Sequence, residues 1–155
     1  MTTERQAGSG AADGALLLVR LALGVIFFAH GAQKLFGWWG GYGIAATVDA
    51  FQKNLGIPPA LTWLAALTET FGGLAVIVGL LPRAAALGLA VTMLVAIFRV
   101  HLQHGFFLAR GGEGSGIEYN LALLAMSLAI VVAGAGRLAL PDVEAAALRR
   151  LRRPS

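Results

Sequence analysis

The chain has 155 residues, of which 57% are hydrophobic and 13% are charged, whereas ordinary soluble domains carry about 25% charged residues. It contains no cysteine, which excludes a disulfide, a thiolate-bound metal and an iron–sulfur cluster held by its own side chains. The net charge of +4 comes mostly from one C-terminal run, so the composition argues against nucleic acid as a partner.

The length suits one domain. Residues 1–14 are rich in Gly, Ala, Ser and Thr and lack the basic and apolar regions of a signal peptide, so they are predicted to form a flexible cytoplasmic tail. The apolar residues 15–136 are predicted to form a membrane domain, and the arginine-rich residues 137–155 a basic cytoplasmic tail.

Four stretches are long and apolar enough to cross a bilayer as helices, which takes about 20 residues. These are residues 16–36, 61–81, 84–104 and 117–135. A helix satisfies its own backbone hydrogen bonds in lipid, and these stretches lack the polar face of helices in soluble bundles. The sequence therefore predicts an all-α membrane protein in contact with the lipid bilayer, built as an up-down bundle of four transmembrane helices.

The connection after the first span is unlike an ordinary loop. Trp38 and Tyr42 are residue types that favour the membrane interface. Residues 44–55 have apolar side chains at a helical spacing, which predicts a short interfacial helix lying on the outer leaflet between helices one and two. This helix either anchors the connection or caps an opening that faces the lipid.

Small residues predict close packing between the spans. Gly24 and Gly31 would serve this purpose in the first span, and Gly72 and Gly73 in the second. In the fourth span the corresponding residues are Ala122, Ala125 and Ala129.

Basic residues outside the spans indicate the orientation. The N-terminal tail, the turn at Arg83 and the C-terminal tail hold most of them, whereas the other two connections hold Lys53 and Arg110. By the positive-inside rule both termini face the cytoplasm. The first and third spans then end at the outer surface.

Charged and histidine side chains lie inside the predicted spans, where a charge costs about 2.5–3.5 kcal/mol unless it meets a partner or water. Most of them fall in the outer half of the bilayer, whereas Arg20 lies near the cytoplasmic end, where its side chain could also reach the headgroups. His30 and Lys34 are four residues apart and share one helix face. The outer group consists of His30, Lys34, Glu69, Arg99, His101, His104 and Glu118.

Three short motifs occur in order along the spans. They are Arg20, Leu23-Gly24, Phe28-Ala29-His30-Gly31 and Lys34-Leu35; then Glu69-x-x-Gly72-Gly73, Gly79 and Pro82-Arg83; and finally Glu118-Tyr119-Asn120. Across residues 16–135 this pattern resembles that of the DoxX family of small bacterial integral membrane proteins. The resemblance implies a four-helix, multi-pass protein of the inner membrane that is linked to redox chemistry. Relatives include a subunit of an archaeal thiosulfate:quinone oxidoreductase and membrane components associated with oxidative-stress enzymes.

We therefore expect a redox-associated component, or a subunit of a quinone-linked oxidoreductase, that binds a quinone or similar lipophilic molecule at the outer polar group. Histidine and glutamate can hydrogen-bond to quinone carbonyls and carry protons, because their pKa values respond to burial and to neighbouring charge. Cationic side chains can stabilise negative charge on the ligand. The candidate catalytic residues are His30, Glu69, His101 and Glu118. The candidate ligand-binding residues are Arg20, Lys34, Arg99, Trp38 and Tyr119.

The residues leave other interpretations open. The polar groups could pair across the bundle as a structural ion-pair network, or line a solute path in a non-catalytic assembly or transport component. His30 and His101 could be axial haem ligands, although Lys34 and Glu69 at the same depth favour an ion-pair network. His101 with His104 and Glu118 could hold a metal, although histidines near the end of a span are more often interfacial, and no metal ligand is assigned.

The sequence also limits how electrons could reach such a site. Its glycine-rich stretches follow no strand and open no αβ unit, so there is no dinucleotide-binding fingerprint. Electrons would have to come from a redox partner protein or pass between diffusible substrates. A homo-oligomer is also compatible with so small a bundle.

Overall fold

The computed structural model describes residues 2–108 and 114–140, and residues 2–9 by their backbone alone. Within these ranges the chain is all-helical and contains no β-strand. The helices are α1 (Thr2–Phe36), α2 (Gly43–Leu55), α3 (Pro59–Val78), α4 (Pro82–His104) and α5 (Glu118–Ala133). A short 3-10 turn, Trp38–Gly40, connects α1 to α2.

Three helices are long and apolar enough to cross a bilayer, namely Gly10–Phe36 within α1, α3 and α4. They agree with the first three predicted spans. The fourth predicted span, residues 117–135, contains α5, an apolar helix of 16 residues. At 1.5 Å per residue α5 is about 24 Å long, which is less than the hydrocarbon thickness of about 30 Å. By length and composition, three of the four predicted crossings are confirmed.

Glycine and proline mark the helix boundaries. α1 ends before Gly37 and α3 before Gly79, and both glycines have a φ of 76°. This left-handed conformation favours glycine because other residues would meet a Cβ clash. α3 begins at Pro59 and α4 at Pro82. Backbone N–H groups in the first turn of a helix have no acceptor within the helix, so a proline, which lacks an N–H, loses no hydrogen bond there.

Residues 2–14, for which the sequence predicts a flexible tail, form the N-terminal part of α1. Asp13 ties this part to the segment after α5, since its Oδ1 accepts a hydrogen bond from the backbone N–H of Arg137 at 2.9 Å. The predicted basic tail is described as far as Leu140. Its run of arginines at residues 149–153 lies outside the described residues, as does Arg110.

The glycines of α1 and α3 bring the two backbones into contact, as predicted. A β-carbon on Gly24 would lie 2.6 Å from the carbonyl oxygen of Gly73, and one on Gly73 would lie 2.8 Å from the carbonyl oxygen of Gly24. Such separations exclude larger residues unless the helices move apart. The apolar core around this contact consists of Leu23, Phe27, Val76, Ala86, Leu89, Met93, Leu123 and Ile130.

The prediction for the alanines of α5 is wrong. Ala122, Ala125 and Ala129 are exposed. The buried face of α5 consists instead of Asn120, Leu123, Ser127 and Ile130. This face packs against α4, so the three alanines lie on the exposed side of α5.

Candidate functional site

A cavity of about 1160 Å³ lies among α1, α2, α3, α4 and the first turn of α5. Most of its lining residues are apolar, and its size suits an organic molecule, since ligand pockets commonly measure about 300–1,000 Å³. Several exposed aliphatic residues of α3 and α4 line one side, which we call the aliphatic rim: Leu61, Leu64, Leu87, Val91 and Val95. The rim connects the cavity with the outer surface of these two helices.

Lys34 and Glu69 form an ion pair at the cavity wall. The Lys34 ammonium donates a hydrogen bond to Oε2 of Glu69, and both residues line the cavity. The Glu69 side chain is 5% exposed and that of Lys34 is 23% exposed. A charge at this depth is stable only with a partner, so each side chain supplies the counter-charge that the other needs.

A π-helical turn in α3, Thr68–Gly72, carries Glu69. Such turns insert one extra residue into an α-helix and occur frequently at functional sites. The turn packs closely on α1 because a β-carbon on Gly31 would overlap the backbone nitrogen and the hydroxyl of Thr70. The missing side chain of Gly31 therefore lets α3 come close enough for Glu69 to reach Lys34, three residues further along α1.

A second π-helical turn, Ile97–His101, brings Arg99 and His101 to the cavity. Nδ1 of His101 lies 2.7 Å from the carbonyl oxygen of Ser115, which requires Nδ1 to carry the proton and to donate. This bond orients the imidazole and connects α4 to the segment before α5. His30 also lines the cavity, from α1.

Helix α2 covers part of the cavity through Phe51 and Leu55, together with Ile57 just beyond its end. The guanidinium of Arg99 donates to the carbonyl oxygen of Leu55 and so ties the end of α2 to α4. Thr47, which is buried, faces α1 at the other end. The short helix predicted over residues 44–55 therefore forms, and it closes one side of the cavity; that it lies on the outer leaflet stays a prediction.

Six of the nine residues singled out in the sequence line this one cavity: His30, Lys34, Glu69, Arg99, His101 and Tyr119. The structure thus brings together side chains from α1, α3, α4 and α5. It places Arg20, Trp38 and Glu118 outside the lining.

Arg20 is 1% exposed, so its side chain does not extend to the headgroups. Its guanidinium donates to four backbone carbonyl oxygens, those of Val76 at 2.8 Å, Ile77 at 2.6 Å, Ala135 at 2.9 Å and Leu138 at 2.8 Å. Arginine suits this position because its planar fork presents five donors. Arg20 joins the ends of α3 and α5 to α1 rather than facing the cavity.

Glu118 and Trp38 also make other contacts. Oε1 of Glu118 accepts a hydrogen bond from the backbone N–H of Leu108 at 2.6 Å, which closes the loop before α5. Trp38 packs against the rings of Phe28 and Phe36 at the end of α1. Both contacts stabilise connections between helices.

The proposed metal alternative at His101, His104 and Glu118 is not formed. Among the described residues no three His, Asp or Glu side chains come close enough together to hold a metal ion. His101 and Glu118 each form a hydrogen bond with a backbone group instead. Nε2 of His104 lies 3.3 Å from the side-chain amide nitrogen of Gln103.

Asn120 is a cavity residue that the sequence analysis did not include among the site residues. It is 6% exposed and lines the cavity from the first turn of α5. Its amide nitrogen lies 3.6 Å from the sulfur of Met93. A polar residue at the start of an otherwise apolar helix, next to Glu118 and Tyr119, is the signal that could have identified it.

The DoxX family model matches residues 15–102. The chain belongs to the DoxX family. This match begins within α1, includes α2 and α3 and ends two residues before the end of α4, so it takes in the helices that supply most of the cavity wall but not α5. This DoxX protein is therefore a membrane protein whose apolar helices contact the lipid bilayer.

Two relatives extend the comparison of this DoxX protein. It is 32% identical over 124 residues to "Putative oxidoreductase CatD" of Bacillus subtilis, covering 80% of this chain and 82% of the relative. It is 30% identical over 135 residues to an uncharacterized protein of Haemophilus influenzae, covering 86% of this chain and 83% of the relative. No solved structure matches the chain.

Proposed function

We propose that this DoxX protein is a redox-associated membrane component that binds a quinone, or a lipophilic molecule of similar chemistry, in the cavity beside Lys34 and Glu69. The observation that carries the proposal is a partly buried ion pair on the wall of a largely apolar cavity whose aliphatic rim lies on the surface of α3 and α4. An apolar pocket with a few convergent polar groups is the usual form of a small-molecule site.

The polar lining suits the chemistry of a quinone. A quinone carbonyl accepts hydrogen bonds, and its reduction requires protons. His30 and His101 can donate hydrogen bonds and transfer protons, while the ammonium of Lys34 favours negative charge on a bound oxygen. The name of the Bacillus subtilis relative supports a link to oxidation and reduction.

We also propose that α5 completes a fourth crossing and that the four long helices alternate in direction as an up-down bundle. Lys34 and Arg99 belong to the C-terminal parts of α1 and α4, whereas Thr62 and Asn120 belong to the N-terminal parts of α3 and α5. All four line one cavity, which supports alternating directions.

In this arrangement the cavity residues His30, Lys34, Arg99 and His101 lie in the outer half of the inner membrane, and both termini face the cytoplasm according to the positive-inside rule. The chain's sequence contains no dinucleotide-binding fingerprint and no cysteine, so a partner protein or a diffusible donor supplies the electrons.

A second function is favoured by one observation. Because Lys34 and Glu69 already satisfy one another, the pair could serve only to hold α1 against α3. The protein would then be a non-catalytic assembly or small-solute transport component.

Extraction of the purified protein separates the two functions. Wild type in mild detergent is extracted and analysed by mass spectrometry and ultraviolet–visible spectroscopy, beside Glu69→Gln, His30→Ala and the double variant Lys34→Met/Glu69→Met. The double variant replaces the ion pair by apolar side chains of similar length and should stay folded. Lys53→Gln, which breaks the exposed pair with Asp49 outside the cavity, is the control.

A quinone that co-purifies stoichiometrically with wild type and Lys53→Gln, and is lost from the folded double variant, supports the redox site. A haem absorption band in place of a quinone would contradict the quinone assignment. If wild type holds neither molecule and the variants change only thermal stability, the pair is a structural link and the redox proposal is overturned.

A further inference from the structure

Burial differs sharply between the two sides of the cavity. Glu69, Thr62 and Asn120 are buried polar residues of the lining. They share this inner side with the buried apolar residues Phe27, Met93 and Leu123. The aliphatic rim, in contrast, is about half-exposed and contains only Leu and Val, with Leu64 59% and Val91 52% exposed. The buried polar groups of the lining therefore lie deep in the cavity, and its edge on the surface of α3 and α4 is aliphatic. His30, Arg99 and Tyr119 line the cavity elsewhere, from exposed positions on α1, α4 and α5.

Asn120 is poorly paired for a buried amide. Its amide nitrogen is directed at the Met93 sulfur, 3.6 Å away, and a thioether is a weak acceptor. Burying an amide is unfavourable unless strong hydrogen bonds replace those lost to water. In a membrane-spanning bundle such a residue is expensive to keep without a function. The amide of Asn120 is consequently available to a polar group of a molecule in the cavity.

We propose that the bound molecule is an amphiphile whose polar ring hydrogen-bonds to the Asn120 amide and whose hydrocarbon tail leaves the cavity across the aliphatic rim, between α3 and α4. This inference rests on the proposed function, which it deepens by assigning the ligand an orientation and two separate binding regions. A ring oxygen is a better acceptor than the Met93 sulfur, and a tail on the rim meets Leu and Val side chains without leaving the lipid.

The two regions can be tested with one ring in two forms. The probes are decylubiquinone and the parent quinone that lacks a tail. Binding is measured to the full-length protein in lipid nanodiscs and corrected for partition of each probe into empty nanodiscs. Substitution of Asn120 should lower the affinity for both probes, because both contain the ring. Substitution in the aliphatic rim should lower the affinity for decylubiquinone alone.

Asn120→Leu removes the amide with little change in volume. It should lower the affinity for both probes about tenfold, which is the effect of losing one buried hydrogen bond. Thermal unfolding should stay unchanged or rise, because the variant removes a buried amide that has only a weak partner in the protein. If Asn120→Leu does not fold, Asn120→Ala takes its place with the same expectation for binding. Unchanged affinity for both probes in the folded variant would overturn the role of Asn120.

Val91→Trp fills the rim. It should lower the affinity for decylubiquinone several-fold and leave the affinity for the tail-less probe unchanged. Leu94→Trp is the matched control, since Leu94 is an exposed aliphatic residue of the same helix that does not line the cavity. Equal effects of the two tryptophan variants, or equal losses for both probes, would overturn the path of the tail.

Failure of the proposed function gives a different result from failure of this inference. If wild type binds neither probe, the quinone site itself is refuted and the orientation falls with it. If wild type binds both probes but the variants do not separate ring from tail, the site stands and the orientation is wrong.

Discussion

Gly31 of α1 packs directly against the backbone of Thr70 in the π-helical turn of α3, with no space for a side chain between them. This contact lies one residue from Glu69 on α3 and three residues from Lys34 on α1. The distance between the two helices at this point therefore decides whether the buried ion pair can form.

Gly31→Ala should destabilise the protein by about 1–3 kcal/mol, because the added methyl group forces α1 and α3 apart. Thermal unfolding in detergent measures this change. Gly72→Ala is the control, since a β-carbon there would meet Leu89 at an ordinary 3.4 Å. Equal stability of the two variants would show that the close approach at Gly31 is not needed.

Glu69→Gln should lower the free energy of unfolding by about 3 kcal/mol, because it leaves the Lys34 ammonium without its counter-charge. The loss is near the lower end for buried pairs because Lys34 is 23% exposed. Lys34→Met/Glu69→Met should recover most of the loss. Asp49→Asn, which breaks the exposed pair with Lys53, should change stability by less than about 1 kcal/mol. A double variant as unstable as Glu69→Gln would contradict this explanation.

Arg99→Ala should loosen α2, because it removes the bond from the guanidinium to the carbonyl oxygen of Leu55. Hydrogen exchange of the amides in Gly43–Leu55 should become several-fold faster, while exchange in α5 stays the same. Lys53→Ala alters an exposed side chain of α2 and serves as the control. Unchanged exchange in α2 would show that its contacts with α1 and α3 hold it without Arg99.

Arg20→Leu should destabilise the protein by at least about 3 kcal/mol, since four carbonyl oxygens lose their shared donor at a buried position. Arg20→Lys should recover little of this, because an ammonium has three donors and lacks the planar fork. Arg137→Leu, at an exposed arginine, is the control for thermal unfolding. Quinone affinity of the folded fraction should stay unchanged; a selective loss of affinity would return Arg20 to the ligand site.

Some features of this protein depend on neighbouring residues alone, and others depend on how the helices pack. The three long spans, the helix boundaries at Gly37, Pro59 and Pro82, and the short helix α2 follow from hydropathy, helical spacing and local backbone chemistry. These are properties of neighbouring residues, so the sequence alone was enough. It also predicted that charges at similar depth would need one another, which Lys34 and Glu69 confirm.

Tertiary structure decided which of the polar residues meet in one place. Each π-helical turn inserts a residue and so rotates the following helix face by about 100°, which sequence spacing does not reveal. Arg20 binds backbone groups that come from distant parts of the chain, and Glu118 binds the backbone of Leu108 in the loop before α5, whereas Asn120 faces the cavity. The sequence by itself determined the three long apolar helices and α2, because hydropathy and helical spacing are local properties. Helix rotation and the glycine contacts between α1 and α3 decided the cavity, because side-chain direction depends on how the helices pack.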